Sequence, residues 1–437
     1  MNRIVEKGKT LLVDGPASVT MVSGKAEVFG SEMGGTAKVV IREGKRLPFA
    51  VQETAVLDIS LGEGATIGEV NGNTVPFSWI ESAKELLNLQ TRPATAIVLG
   101  AVDSGKTSFC TYLINKVIHE KRKAAILDGD LGQSDIGPPS TVAYAVVSKP
   151  VTDLFNLQAK NAFFIGETSP GNATEKTICG LTQLRKEVLA ANPEVLVINT
   201  DGWVEGECAF NYKVKLVEEL SPDVVFCIQQ KDELSILMSG FEKFKKIVVE
   251  SPLAIRQRDE DKRKMLRELG YKKYLRNPRV QSLSLSWVKV EGNESFVLNK
   301  AHINTREARR IYELLGMKPL QLSETSDKIS IIIGRRRWIG SENIKKLEES
   351  TKKRVVVTRK GEEEGLLVAL YDGERKFLGI GVLQEIDYLR KTAKVTTPVS
   401  KEASILALGK VKLDKNMKEI PSTDENNMDF ASFKNLF

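Results

Sequence analysis

The chain has 437 residues, long for one domain and suited to two or three. Its 41% hydrophobic and 28% charged content suits a globular protein, and no apolar run approaches the ~18–20 residues of a membrane-spanning helix. The net charge of +7, from 64 Lys and Arg against 57 Asp and Glu, is mild for this length, and the two histidines, His119 and His302, leave the chemistry to carboxylates, amines, guanidinium groups and hydroxyls.

Met1–Lys7 contains no apolar signal core, so secretion is not expected. Cys110, Cys179, Cys208 and Cys227 are widely spaced, with no Cys-x-x-Cys pair. They read as buried free thiols in a reducing compartment, the cytoplasm, rather than as zinc ligands or disulfides.

Residues 1–85 read as a β-rich domain. Short apolar runs such as Leu11–Val13, Val19–Val22 and Ala37–Ile41 are separated by turn residues, and no catalytic pattern is visible among them. A helix is expected over Glu81–Leu89. From residue 86 to 275 continuous apolar runs alternate with helical stretches: 94–99, 124–128, 162–166, 195–199, 224–228 and 246–249. That pattern predicts an α/β fold, a parallel sheet covered on both faces, with ligands at the C-terminal strand ends. Residues 276–437 return to a strand-rich pattern, with Val280–Val290, Ile329–Ile333, Val355–Val357 and Leu366–Leu370, and end in a polar tail from Ser422. Four segments are locally basic: 119–123, 256–276, 335–338 and 352–354. Arg335-Arg336-Arg337-Trp338 joins cations to an aromatic, yet reads more simply as a solvated hairpin edge than as a nucleic-acid path.

The segment Gly100-Ala101-Val102-Asp103-Ser104-Gly105-Lys106-Thr107 carries the most chemistry. It fits G-x-x-x-x-G-K-[ST] between a strand and a helix with Phe109, Leu113 and Val117 on one face. Backbone amides of such a loop cradle phosphates at a helix N-terminus, Lys106 reaches the β/γ-phosphates, and Thr107 offers a hydroxyl to Mg²⁺. Gly100, Asp103, Ser104, Gly105, Lys106, Thr107 and Ser108 are therefore the expected nucleoside triphosphate contacts. Asp128-Gly129-Asp130-Leu131-Gly132-Gln133 closes the next strand. Carboxylates there can hold Mg²⁺ or take a proton; strand alternation is expected to send the two aspartates to opposite faces and different tasks. The segment Gln229-Gln230-Lys231-Asp232 does not fit the N-K-x-D guanine reader, and Ala101 and Val102 stand where a second loop lysine would be. Both departures favour a kinase-type P-loop protein.

The ordered motifs resemble those of the Clp1-type polynucleotide 5′-hydroxyl kinases. Asp128-x-Asp130-x-Gly132-Gln133 with Gly137-Pro138-Pro139 is similar to the family's Walker B segment. Gly166 to Asn172 looks like its Thr-Ser-Pro segment, Thr200-Asp201-Gly202-Trp203 like its clasp, and Arg263 to Arg267 like its R-x-x-x-R lid, with Arg256 and Arg258 upstream. The resemblance covers residues 90–275. It implies a P-loop kinase core, flanked by β-rich N- and C-terminal domains, that uses ATP and Mg²⁺ to phosphorylate the 5′-hydroxyl of RNA, with DNA as an open second acceptor and RNA-processing proteins as partners. It implies Lys106, Asp130, Arg258, Arg263 and Arg267 as catalytic. Thr107, Asp130 and Asp128 are the implied metal ligands, with Asp130 preferred to Asp128 as general base. Gln133, Thr168, Ser169, Thr200 and Trp203 are the implied RNA contacts, Trp203 stacking on the terminal base. Two rivals stay open: an ATP-holding scaffold of an RNA-processing complex, and a kinase for a small hydroxyl compound.

Overall fold

The computed structural model describes residues 1–35, 37–254, 258–292 and 305–421. Arg256, His302 and the polar tail from Ser422 lie outside the described residues. The chain divides into two compact units, Met1–Gly270 and Tyr271–Phe437.

The first unit opens with a seven-stranded sheet dominated by the antiparallel pair Ala17–Val28 and Arg46–Leu61. Val19 faces Ile59 and Met21 faces Leu57 in register, and all four are buried. Alternation over Ala17–Met21 and Ala55–Ile59 gives one core face there, which is why the period-2 pattern is legible.

The same unit holds a second seven-stranded sheet. Its order is Asn161–Phe164, Thr141–Val147, Ala124–Gly129, Val195–Thr200, Ala94–Gly100, Val224–Gln229, Lys246–Glu250. The last five are parallel; Thr141–Val147 runs antiparallel to both of its neighbours, so the sheet is mixed rather than wholly parallel. A parallel neighbour needs a crossover of a dozen or more residues, usually helical. Between Gly129 and Thr141 the chain forms no helix, and Gly132, Gly137, Pro138 and Pro139 favour turns instead, so it returns antiparallel. Every residue of Ala94–Gly100 is buried, as a strand covered on both faces requires.

Helix Lys106–His119 packs Phe109, Leu113 and Val117 on the sheet, with Phe109 edge-on to Phe226 at 5.3 Å between ring centroids. Helix Phe77–Asn88 adds the fully buried Trp79, whose indole N–H donates to the Glu250 carbonyl at 2.9 Å. Helices Thr174–Ala190 and Glu207–Leu220 share a core cluster with Ile97, Leu127 and Ile198 through Leu181, Leu184, Leu216 and Leu220. Each fully buried side chain of this size contributes about 1.5–3 kcal/mol.

The second unit contains a seven-stranded sheet centred on Leu366–Tyr371, all six residues buried, between Phe377–Asp387 and Ile405–Leu413. It also contains a three-stranded sheet, Gln321–Glu324, Lys328–Ile333 and Arg354–Arg359, with helices Thr305–Leu315 and Ser341–Thr351. Those two helices were not anticipated in the strand-rich reading. Among the described residues, no helix is long and apolar enough to cross a membrane.

Candidate active site

The strand Ala94–Gly100 delivers the chain into the P-loop at the C-terminal edge of the parallel strands. Gly105 has φ of 99°, a left-handed conformation open to glycine at little cost, and it precedes helix Lys106–His119. The first amides of that helix lack helical acceptors and carry the positive end of its dipole. Lys106 is almost fully buried and its ammonium donates to the Ala101 carbonyl at 2.7 Å. Burial pulls its pKa below the usual lysine value, while the Asp130 and Asp201 carboxylates oppose that shift.

The two aspartates at the end of Ala124–Gly129 separate because the strand, which includes Asp128, stops at Gly129 before Asp130. On a continuous strand residues two apart would share a face, so alternation does not divide them. Asp128 is fully buried. Its Oδ2 accepts from the backbone amides of Asp135 (2.8 Å) and Ile136 (3.3 Å) and from the Ser134 hydroxyl (3.3 Å). Its Oδ1 accepts from the Asn199 amide at 3.0 Å and the Asp130 amide at 3.3 Å. Burial, with Asp135 and Asp130 nearby, pushes this carboxyl up to about 7, against the pull of those donors. Asp130, in contrast, lines the central cavity of about 660 Å³ beside Lys106 and Thr107. Its Oδ1 accepts from the Gly132 and Gln133 amides at 3.0 and 2.9 Å. Burial raises its pKa; the nearby Lys106 charge lowers it, and the net shift is upward. Asp128 does not line this cavity, so the structure brings two of the three expected metal ligands, Thr107 and Asp130, to it.

Val195–Thr200 leads into the clasp. The Thr200 hydroxyl is buried and donates to the Val98 carbonyl at 2.8 Å, tying two strands together instead of facing an acceptor. At Gly202 a Cβ would fall 2.7 Å from Val102 Cγ2 and 2.8 Å from its amide nitrogen, so only glycine lets the clasp lie against the P-loop. Half-buried Trp203 lines the cavity and stacks on Tyr212 with centroids 5.9 Å apart. Asp201 positions both: it accepts from the Trp203 amide and the Tyr212 hydroxyl, each at 3.0 Å. Lys213, wholly buried, neutralises Asp201 at 2.9 Å and also donates to its carbonyl at 3.0 Å. The sequence pattern passes over Lys213, because a helical lysine looks like any surface lysine.

The lid helix Glu260–Tyr274 brings Arg263 and Arg267, with Arg258 just before it, to the same cavity. Asp103, expected among the nucleotide contacts, binds the lid instead. Its carboxylate accepts from the Arg258 amide at 2.9 Å and the Arg263 guanidinium at 3.1 Å. An anion at that point would repel phosphate, and here its charge anchors arginines. The Gln133 side chain donates to the Arg263 carbonyl at 3.0 Å, joining the Asp130 loop to the lid. Thr168, Ser169 and Ser108 also line the cavity.

The N-terminal sheet contributes Leu12, Phe29, Gly44, Lys45, Arg46 and Pro48 to the cavity wall, although nothing in its sequence signals a site. Arg46 is held by Asp14 through two contacts of 2.8 Å, and Lys45 by Asp135 at 3.0 Å. The only available clue, alternating strands carrying basic residues in a turn, is too common to select them. Cys110 and Cys227 are buried as expected, whereas Cys179 and Cys208 are exposed.

Among the buried side-chain donors without a hydrogen-bond partner in the described residues are Arg258 Nε and Arg263 Nε, on two arginines that line the cavity. Both guanidinium groups already pair with Asp103, and buried polar groups are normally satisfied, so their remaining Nε donors beside the cavity fit a polyphosphate. Among the described residues no three His, Cys, Asp or Glu side chains cluster as a metal site, so a cation would depend on Thr107, Asp130 and the phosphates themselves.

The sequence profile for the P-loop domain of the mRNA cleavage and polyadenylation factor CLP1 matches residues 100–277, the span holding loop, aspartates, clasp and lid. Over this span the chain is similar to the Clp1 family. It is 25% identical over 343 residues to a protein of Methanocaldococcus jannaschii named polyribonucleotide 5′-hydroxyl-kinase, covering 77% of this chain and 92% of that one. A Pyrococcus furiosus protein of the same name is 27% identical over 353 residues, 80% and 96% of the two chains. The solved structure of a wild-type Clp1p–Pcf11p complex shares the fold, with a TM-score of 0.65 at 13% identity over 94% of this chain and 97% of that one.

Proposed function

We propose that this protein is a Clp1-family kinase that transfers the γ-phosphoryl group of ATP to the 5′-hydroxyl of RNA. The observation that carries the reading is one cavity lined by Lys106, Thr107, Asp130, Trp203 and the lid arginines, where phosphate binders meet a carboxylate and an aromatic platform. The names of the archaeal relatives support the same activity.

Phosphoryl transfer demands alignment and charge neutralisation more than covalent help. In this reading the P-loop amides and Lys106 hold the β- and γ-phosphates, and Arg258, Arg263 and Arg267 neutralise the charge that spreads over the transferring group. Asp130 accepts the proton of the 5′-hydroxyl as its oxygen bonds to phosphorus and ADP leaves. Its upward-shifted pKa makes it a stronger base than an ordinary carboxylate. Thr107 and Asp130 would hold Mg²⁺, which supplies further neutralisation on the phosphates. Asp128, bound by five donors, positions the Asp130 loop. Trp203 stacks on the terminal base, and Gln133, Thr168 and Ser169 line its path. We further propose that the protein acts in the cytoplasm, accepts DNA as a secondary acceptor and works with RNA-processing partners.

Incubating the protein with γ-labelled ATP and a 5′-hydroxyl oligoribonucleotide tests the reading. Label should appear on the 5′ end and vanish with Asp130→Asn. ATP binding without any transfer would favour the scaffold, and transfer only to small hydroxyl compounds would favour the third reading.

A further inference from the structure

The excess positive charge of this chain sits in one place. Residues 305–360 carry 15 Lys and Arg against 7 Asp and Glu, net +8, whereas the other 381 residues carry 49 against 50, net −1. This segment is the small sheet of the second unit with its two helices, whose core holds Ile311, Leu315, Ile329, Ile331, Ile333 and Leu347. None of its residues lines the phosphoryl-transfer cavity.

Its strand Lys328–Ile333 runs through the loop Gly334–Gly340 into helix Ser341–Thr351. Arg335, Arg336, Arg337 and Trp338 on that loop are all exposed, as are Lys345 and Lys346 on the helix. Leu347 and the half-buried Ile344 hold the helix to the sheet, so the lysines are left on its outer face. Arg335 pairs with Glu364 at 3.0 Å. Arg336, Arg337, Lys345 and Lys346 have no ion pair among the described residues. Trp338 is 63% exposed, yet it is not loose: the Arg359 guanidinium lies 4.6 Å from its ring centroid. An indole backed on one side by a guanidinium and open to solvent is a platform for a flat ring. Gly340 precedes the helix without a side-chain cap; its carbonyl takes the Asn343 amide at 3.0 Å, which leaves the amides of Ser341 and Glu342 without a helical acceptor. Unpaired cations alone would suit any polyanion. Cations beside an exposed, pre-oriented tryptophan suit a strand whose phosphates and unstacked bases are both available. A glycine-bounded loop entering a helix is also how KH modules clamp a nucleotide backbone, although this loop is longer and carries arginines in place of the short GXXG turn.

We infer that the loop Gly334–Gly340 and the outer face of helix Ser341–Thr351 form a second single-stranded RNA-binding surface, separate from the phosphoryl-transfer cavity. It retains RNA through its phosphates and stacks one base on Trp338. The segment is exposed as expected but joins a strand to a helix instead of forming a hairpin edge, and the proposal does not rest on the kinase reading, since a chain that bound RNA without turnover would still use it.

The test uses the full chain and fluorescence anisotropy with a 3′-labelled single-stranded RNA of about 20 nucleotides, its duplex, and an acceptor of about three nucleotides. A variant carrying Arg336→Gln, Arg337→Gln, Lys345→Gln and Lys346→Gln should weaken single-strand binding at least ~10-fold. The slope of log K against log salt should fall by about 2–3, because each lost phosphate contact removes roughly 0.7. Trp338→Ala should weaken single-strand binding by about 10-fold with little effect on the duplex. Phosphorylation of the short acceptor should be unchanged in both variants, and thermal unfolding should be superimposable because the altered side chains are exposed. Unchanged affinity and salt slope would overturn the proposal, as would equal losses on duplex and single strand, which would indicate a general polyanion patch. Full effects on RNA binding in a protein that transfers no phosphate would refute the kinase reading and leave this one standing.

Discussion

Lys213 offers a severe test of how the clasp is held, because it is a lysine with no exposed surface whose ammonium lies 2.9 Å from Asp201 Oδ2. At that separation, with an effective dielectric constant near 20, the gross attraction is about 6 kcal/mol. Desolvation of two ions offsets several kcal/mol of this, and the extra bonds from Tyr212 and the Trp203 amide keep Asp201 satisfied. Lys213→Met removes the cation and leaves Asp201 buried, a change that should cost about 3–5 kcal/mol of folding stability. Asp201→Asn alone leaves Lys213 buried and should cost a similar amount. The double variant should be less destabilised than the sum of the singles by about 2–3 kcal/mol, since neither ion is then stranded. Urea denaturation of the four proteins closes the cycle. Additivity within about 0.5 kcal/mol would show that the pair does not couple and would refute the reasoning. The functional readout is separate: in the double variant the charged anchor beneath Tyr212 and Trp203 is gone, so KM for RNA should rise while KM for ATP changes little.

Lys106→Ala should lower turnover at least ~10²-fold, about 2.7 kcal/mol in barrier, with unchanged thermal unfolding; near-normal transfer in a labelled-ATP assay would reject the P-loop assignment. Trp203→Ala should raise KM for RNA similarly for all four 5′-terminal bases, whereas Arg263→Ala and Arg267→Ala should lower kcat, a split that steady-state kinetics on each substrate resolves. In the pH profile of kcat/KM, Asp130 must be ionised to accept a proton, and its upward shift moves the acid limb above the ordinary aspartate value. The basic limb should fall below the usual lysine pKa, because burial lowers that of Lys106 and the rate needs its charge. An acid limb at the ordinary aspartate value would remove Asp130 as the base.

The local chain is enough to reveal the P-loop, the Asp128–Gln133 segment, the clasp and the lid. Each is a short run whose residue types must follow one another to shape a backbone or present charge: a helix N-terminus needs its glycine-lined approach, and Gly202 must be glycine because Val102 lies against it. Continuous apolar strands likewise announce a sheet covered on both faces. What sequence does not resolve depends on distant partners. Asp128 and Asp130 look alike in the chain, and only the folded loop shows five donors closing on one and a cavity opening beside the other. Thr200 and Asp103 sit within the expected motifs, yet packing commits the first to a strand carbonyl and the second to the lid arginines. Lys213 becomes part of the site because its helix buries it under Asp201, and Lys45 and Arg46 because the N-terminal sheet brings its turn to the cavity. A motif records chemistry that neighbours along the chain must share. Which carboxylate faces the reacting space, and which cation is stripped of water to hold it, are settled by burial, a property the chain acquires only when elements far apart in sequence close on one another.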